Sequence, residues 1–250
     1  MNVRRVAAHY GWRWITAGVQ LFRRSPAQWL LLVGALFVAS RLLFMIPFAA
    51  LLVALLVPHF VAGLAHGAQA LEHGKPLRAG YLISGFLRNA GPLVTIGGVS
   101  LMGQLLTLIV ITAVGGDAFA EVARALAQGG TAPENVRVLQ AAVPRMTLAM
   151  LAGFAVSLPV MMATWFAPLL VFFDDLKATA ALRLSLIACM KNTRPLLLFG
   201  LALMIPLFVC TRIGLVLHQP DLGVWLLGPL ILPALYVSYR DLFVQEPPPH

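Results

Sequence analysis

Residues 27–71 carry a single charged side chain, Arg41, in an otherwise nearly continuous apolar run. As a helix rising about 1.5 Å per residue, the run is roughly twice as long as a 30 Å hydrocarbon core is thick. A segment of that length and polarity has to cross a bilayer, turn and come back. The expected hairpin has spans over 27–43 and 46–70. Arg41 reaches back to the far interface along its aliphatic stem, and Pro47 opens the return helix.

The rest of the chain repeats this character. Hydrophobic residues make up 60% and charged residues 11% of the 250, whereas a water-soluble domain has roughly a quarter of its residues charged. So little polar surface cannot cover a globule, and the class is an all-α, polytopic helical membrane protein. The ~10-residue alternation of a membrane β-barrel is absent. A net charge of +9 would suggest nucleic acid in a soluble chain. Here the basic residues stand beside the spans, which fits anionic lipid and not nucleic acid. Cys189 and Cys210 fall in a surface helix and a span, and neither looks like half of a disulfide or a metal site. The opening MNVRRVAAHYGWRW lacks the short apolar core of a signal peptide.

In chain order, 3–24 reads as an amphipathic helix lying on the membrane. Val6, Tyr10, Trp14, Ala17 and Leu21 form its apolar face, and Trp12, Trp14 and Trp29 suit headgroup depth. After the 27–70 hairpin and a polar turn comes a second interfacial helix, 77–90. Span three covers 92–114, where Gly91, Gly97, Gly98 and Gly103 permit close helix contact. The outer loop 115–144 holds one short helix ending at Gly129-Gly130. A capping-box pattern, Thr131-Ala-Pro-Glu134, starts a second. Pro144 leads into span four, 145–173, with kinks at Pro159 and Pro168. A third interfacial helix, 176–193, precedes span five, 195–217. The turn at Gln219-Pro-Asp-Leu-Gly leads to span six, 223–243, and the tail 244–250 has no fold of its own.

Three joints resemble one another: Phe22-Arg-Arg-Ser-Pro26, Leu87-Arg-Asn-Ala-Gly-Pro92 and Met190-Lys-Asn-Thr-Arg-Pro195. Each closes a short helix and opens a span. The expected domain plan is therefore three parallel repeats of interfacial helix plus hairpin, over 1–74, 75–175 and 176–250. The first joint is one residue shorter and lacks the Asn of the other two. Where present, Asn and the basic residue are expected to bond the last carbonyls of the short helix, and Pro opens the next helix where no N–H partner is needed. Topology follows by count. Arg4, Arg5, Arg13, Arg23, Arg24, Lys75, Arg78, Arg88, Lys177, Arg183, Lys191, Arg194 and Arg240 stand on the joint side. Arg41, Arg124, Arg137, Arg145 and Arg212 stand opposite. The joint side and both termini are expected in the cytoplasm.

Few residues suggest chemistry. His59, His66 and His73 share a helix face, but seven residues is ~10 Å of rise, too far for one metal ion. They read as a polar stripe, or alternatively as a proton or anion path. Asp174 and Asp175 project ~100° apart on a helix, so they cannot form a catalytic dyad. They are expected to start helix 176–193. No phosphate loop, HExxH or GxSxG is present. No cofactor, metal or enzymatic activity is expected. The candidate polar or lipid-contact residues are Arg88, Asn89, Asp174, Asp175, Lys191, Asn192, Arg194, His59 and His66.

Trp165-Phe-Ala-Pro168, the helix Ala180-x-x-x-x-Ser185-x-x-Ala188, the joint Asn192-x-x-Pro195 and the Gly85-Phe86 segment resemble a group of uncharacterised bacterial six-span proteins. They are more distantly similar to the membrane domain that accompanies some glycerophosphodiester phosphodiesterases. The resemblance implies an all-helical protein of the bacterial inner membrane and brings no catalytic residues. The expected function is binding or organising lipid, anionic above all, or handling an amphipathic small molecule. The alternative is a transporter or channel with a cavity between repeats, lined by His59, His66, Asn89 and Asn192. A second copy of the chain, or another membrane subunit, is the remaining partner class.

Overall fold

The computed structural model describes residues 3–46, 48–129, 132–219 and 222–243. Pro47, the Thr131 half of the capping box, Pro220-Asp221 of the last turn and the 244–250 tail lie outside the described residues. The apolar segments become helices because a helix pairs its own backbone groups where no water can. They are α1 (Tyr10–Arg24), α2 (Pro26–Leu43), α3 (Ala49–Glu72), α4 (Tyr81–Leu87), α5 (Ala90–Gly115), α6 (Ala118–Ala127), α7 (Pro133–Trp165), α8 (Ala167–Asp174), α9 (Ala178–Lys191), α10 (Thr193–Val216) and α11 (Leu222–Phe243). Among the described residues, five segments are long and apolar enough to cross a bilayer: Pro26–Leu43, Leu51–Glu72, Ala90–Gly115, Asn135–Asp174 and Thr193–Val216. Their outer faces carry large exposed apolar side chains such as Leu31, Leu108, Phe154, Ile205 and Phe208, the reverse of a soluble surface.

The chain divides into two compact units, Met1–Gly98 with Met162–His250, and Val99–Met161. The first holds the main core, where Trp14, Trp29, Phe166, Leu169, Leu170, Val171 and Phe243 are all buried. α1 packs on α10 and α11, α4 on α3, and α8 on α9 and α3. In the second unit, a methyl group at Gly103 would strike Val160, so α5 and α7 approach closely there. Within the first, Gly97 lets α5 lie against the backbone of Leu55 on α3, whereas Gly91 faces open space.

Several expectations need correction. α1 begins at Tyr10, and residues 3–7 precede it as non-helical chain. Its buried stripe is Gly11, Trp14, Gly18 and Leu21, covered by protein rather than lipid. Trp14 and Trp29 are fully buried within the protein, whereas Trp12, 58% exposed, faces outward. Ring size explains this, since burying an indole against packed helices removes more apolar surface than leaving it at an interface. α4 is only seven residues, ending at Leu87.

Pro144 does not begin span four. α7 runs unbroken from Pro133 to Trp165 through both Pro144 and Pro159. The break falls at Phe166, one residue before α8, with Pro168 in the first turn of α8. A side chain holds this break. The Phe166 N–H donates to Ser185 Oγ at 3.0 Å, and the Ser185 hydroxyl donates to the Met162 carbonyl at 2.7 Å. Ser185 is fully buried, as are Ala181 and Ala188 on the same helix, α9. The Trp-Phe-Ala-Pro segment and the Ala/Ser helix are thus two sides of one packed joint.

Ser185→Ala strands the Phe166 N–H and leaves the Met162 carbonyl only the weak Cys189 thiol at 3.5 Å; it should cost about 1–3 kcal/mol, read as a lower unfolding temperature in detergent. Ser157→Ala, which removes only a bond to the Phe154 carbonyl of its own helix, should cost less than about 0.5 kcal/mol.

Candidate functional site

The most connected polar side chain is Asn192. It lies between α9 and α10, with φ −121° and ψ 36°, and is 1% exposed. Its Nδ2 donates to the Ala188 carbonyl at 3.0 Å, closing the last turn of α9. The same nitrogen donates to the Arg4 carbonyl at 3.0 Å, and its Oδ1 accepts the Val6 N–H at 2.9 Å. The Arg4 N–H in turn donates to the Leu242 carbonyl at 3.0 Å. One amide therefore ties the N-terminal segment to the α9–α10 joint, and that segment to the end of α11. Three bonds nearly exhaust a primary amide's capacity.

Asn89, the matching residue of the previous joint, works differently. Arg88 is extended and Asn89 is left-handed, with φ 56°. It stands two residues past α4 and does not cap it. Instead, Asn89 Nδ2 donates to the Val171 carbonyl on α8 at 2.9 Å and to Asp175 Oδ1 at 2.6 Å. Arg88 reaches the same carboxylate with Nε at 3.3 Å and Nη2 at 2.6 Å. Its guanidinium also lies 5.6 Å from the centre of the Phe172 ring.

The aspartates end a helix; they do not start one. Asp174 is the last residue of α8, and Asp175 caps it in the left-handed region at φ 52°. The Leu176 N–H folds back toward the Leu170 carbonyl at 3.4 Å, a Schellman-type closure that usually takes Gly. An aspartate there costs on the order of 1 kcal/mol of backbone strain, which its bonds to Arg88 and Asn89 offset. Those bonds, Arg88 first, hold the Asp175 carboxyl below its ordinary range. Lys177, extended and without a side-chain cap, precedes α9. Asp174 turns the other way and accepts the Tyr239 hydroxyl at 2.6 Å.

The histidines are committed to packing. His59 Nε2 faces the Ala90 carbonyl at 3.2 Å, so that nitrogen carries the proton, and the ring stacks on Phe86 at 4.6 Å. His66 Nδ1 meets Ser84 Oγ at 3.2 Å, and its ring packs against Tyr81 and Phe172. His73 is exposed and bonds back to the Gln69 carbonyl.

Sequence reasoning overlooked the end of α11. Tyr236 donates to Glu72 Oε2 at 2.7 Å, and Arg240 pairs with Glu72 and also with Asp241, at 3.0 Å. The Trp14 indole N–H donates to Asp241 at 3.2 Å. A signal was present: Tyr236, Tyr239 and Arg240 recur at helical spacing of three and four, at the end of an apolar span facing the Glu72 end of another. The expected residues therefore form two groups. Arg88, Asn89 and Asp175 meet beside α8, while Lys191, Asn192 and Arg194 lie at the α9–α10 joint. His59 and His66 share neither group.

Bilayer-length helices with outward apolar faces and polar side chains gathered at the helix ends define a multi-pass helical membrane protein. No protein-family model matches the chain, nor does any solved structure. A Burkholderia thailandensis protein described as "Probable inner membrane protein" is 30% identical over 269 aligned positions, covering 99% of this chain and 96% of that one. The chain belongs to the same family of inner-membrane proteins.

Asn192→Leu leaves Arg4 O and Val6 N–H without partners, while Ala188 O keeps the backbone N–H of residue 192, a loss of about 2 kcal/mol or more. Limited proteolysis should then cut near residues 3–9 much faster than in the wild type. Asp175→Asn should lower the unfolding temperature less, because its ion pair is exposed and screened. Since the bonds from Arg88 and Asn89 hold the Asp175 carboxyl below its ordinary range, its contribution is complete above the ordinary carboxylate range and fades only as the pH falls through and below it. The gap between wild type and D175N should stay constant near neutrality and close under strong acid.

Proposed function

We propose that this protein is a non-enzymatic, six-span inner-membrane protein that binds or organises anionic lipid through a basic collar on its cytoplasmic side. Three repeats build it: α1 with α2 and α3; α4 with α5 and the α7–α8 pair; α9 with α10 and α11. On this reading α11, 22 residues long, is the sixth span. Both termini lie in the cytoplasm by the excess of basic residues on the joint side.

One observation carries the reading. Of the thirteen basic residues at the joints, all but Arg240 are exposed. Among the described residues, the carboxylates of the same side are held by protein: Glu72 by Tyr236 and Arg240, Asp174 by Tyr239, Asp175 by Arg88 and Asn89, and Asp241 by Trp14 and Arg240. With these acids taken up by Arg88, Arg240 and neutral partners, the other exposed cations are left for headgroups, at about 1 kcal/mol for each one near an anionic surface. The transport reading would draw on His59, His66, Asn89 and Asn192, and each of these already bonds or packs within the protein.

Bilayer discs containing phosphatidylglycerol should raise the unfolding temperature of the purified protein above that in phosphatidylcholine discs. Added salt should shrink the gap as it screens exposed charge. Equal stability in the two lipids would overturn the proposal.

A further inference from the structure

A cavity of about 470 Å³ opens between the N-terminal segment and the α9–α10 joint. Arg5 lines one side of it, and Lys191, Thr193 and Arg194 line the other, with Val6 and Pro195 among the apolar walls. Three cations share this hollow. Among the described residues, none of the three forms an ion pair, and no carboxylate is part of the lining.

Their convergence is built by the fold. Asn192 bonds the carbonyl of Arg4 and the N–H of Val6, so the backbone on both sides of Arg5 is held. Lys191, Thr193 and Arg194 flank that same asparagine in sequence. The buried clamp therefore sets Arg5 opposite Lys191 and Arg194, so that three cations line one hollow and give it a positive potential that draws an anion. α10 begins at Thr193, and its 24-residue dipole adds positive potential at the same place. Since α10 is itself of bilayer-spanning length and polarity and begins at Thr193, the cavity lies at the end of a candidate span, the place at which a spanning helix meets phospholipid headgroups. The apolar walls at Val6 and Pro195 suit the glycerol and first methylenes below a phosphate.

We propose that this cavity is a specific phosphate-binding site, filled from the membrane by the headgroup of an anionic phospholipid. The inference rests on the anionic-lipid reading above and narrows it from a diffuse collar to three side chains. Asn192 is the positioning residue of the site; Arg5, Lys191 and Arg194 are its ligands.

Titration of the detergent-solubilised protein with a short-chain phosphatidylglycerol tests it. Arg5→Gln, Lys191→Gln and Arg194→Gln together should weaken binding about a hundredfold, roughly fivefold for each charge removed. The unfolding temperature without lipid should be unchanged, because these side chains are exposed. A charge-matched control, Arg23→Gln with Arg78→Gln and Arg183→Gln, should lose much less. Equal losses in the two triple variants would overturn the site and leave the diffuse collar standing. No preference of the wild type for phosphatidylglycerol over phosphatidylcholine would overturn both. Glycerol 3-phosphate and inorganic phosphate form the second arm. If they bind wild type as tightly as the lipid and lose to the cavity variant alike, the phosphate chemistry holds and the membrane source is overturned.

Discussion

A helix that ends beside a bilayer has little water to satisfy its last carbonyls, and this constraint shapes every joint in the protein. Asn192 is its most developed answer. A single buried amide closes α9 through Ala188 and accepts and donates bonds on either side of Arg5. Through Arg4 it connects with the end of α11. The N-terminal segment has no helix of its own before Tyr10, so its position depends on these bonds and on the docking of α1. Ser185 answers the same constraint at the break between α7 and α8, lending its hydroxyl to backbone groups that the interrupted helix leaves open.

The acidic residues near these joints have a structural use. Glu72 and Asp241 bracket Arg240, and Asp174 and Asp175 diverge to Tyr239 and Arg88. Each carboxylate draws two elements together: α3 to α11, α11 to α1, α8 to α11, and α8 to the α4–α5 joint. In a protein with twice as many basic as acidic residues, 18 against 9, these four acids are taken up by bonds within the protein, while most of the bases at the joints stand exposed. That division links packing to the proposed lipid contact, because a cation without an internal partner is available to a phosphate.

Hydropathy made the long helices legible. The limits of 27–43, 92–114, 195–217 and 223–243 fall within a few residues of α2, α5, α10 and α11, since water exclusion acts on side chains one at a time and leaves its mark locally. Proline misled where helix continuation outweighed one missing N–H, as at Pro144. Asp174 and Asp175 misled because a carboxylate after a span fits both a helix start and a helix stop. What decided between them was the left-handed turn at Asp175 and the arrival of Arg88 and Asn89 from eighty-odd positions earlier. The tryptophans misled for a related reason: the amphipathic pattern of α1 marks an apolar face without saying whether lipid or α10 and α11 will cover it.

By itself, then, the sequence determined that the chain crosses a membrane as helices and where most of them run. Each of these follows from the transfer energy of individual residues along a short window. Only the tertiary structure decided which polar side chains meet: Asn192 with Arg4 and Val6, Asp175 with Arg88, Glu72 with Tyr236 and Arg240. These pairs are separated by tens to nearly two hundred residues, so no local pattern specifies them. Packing the helices brings these groups together; for the backbone groups that Asn192 meets it also removes water, so each needs a partner within the protein.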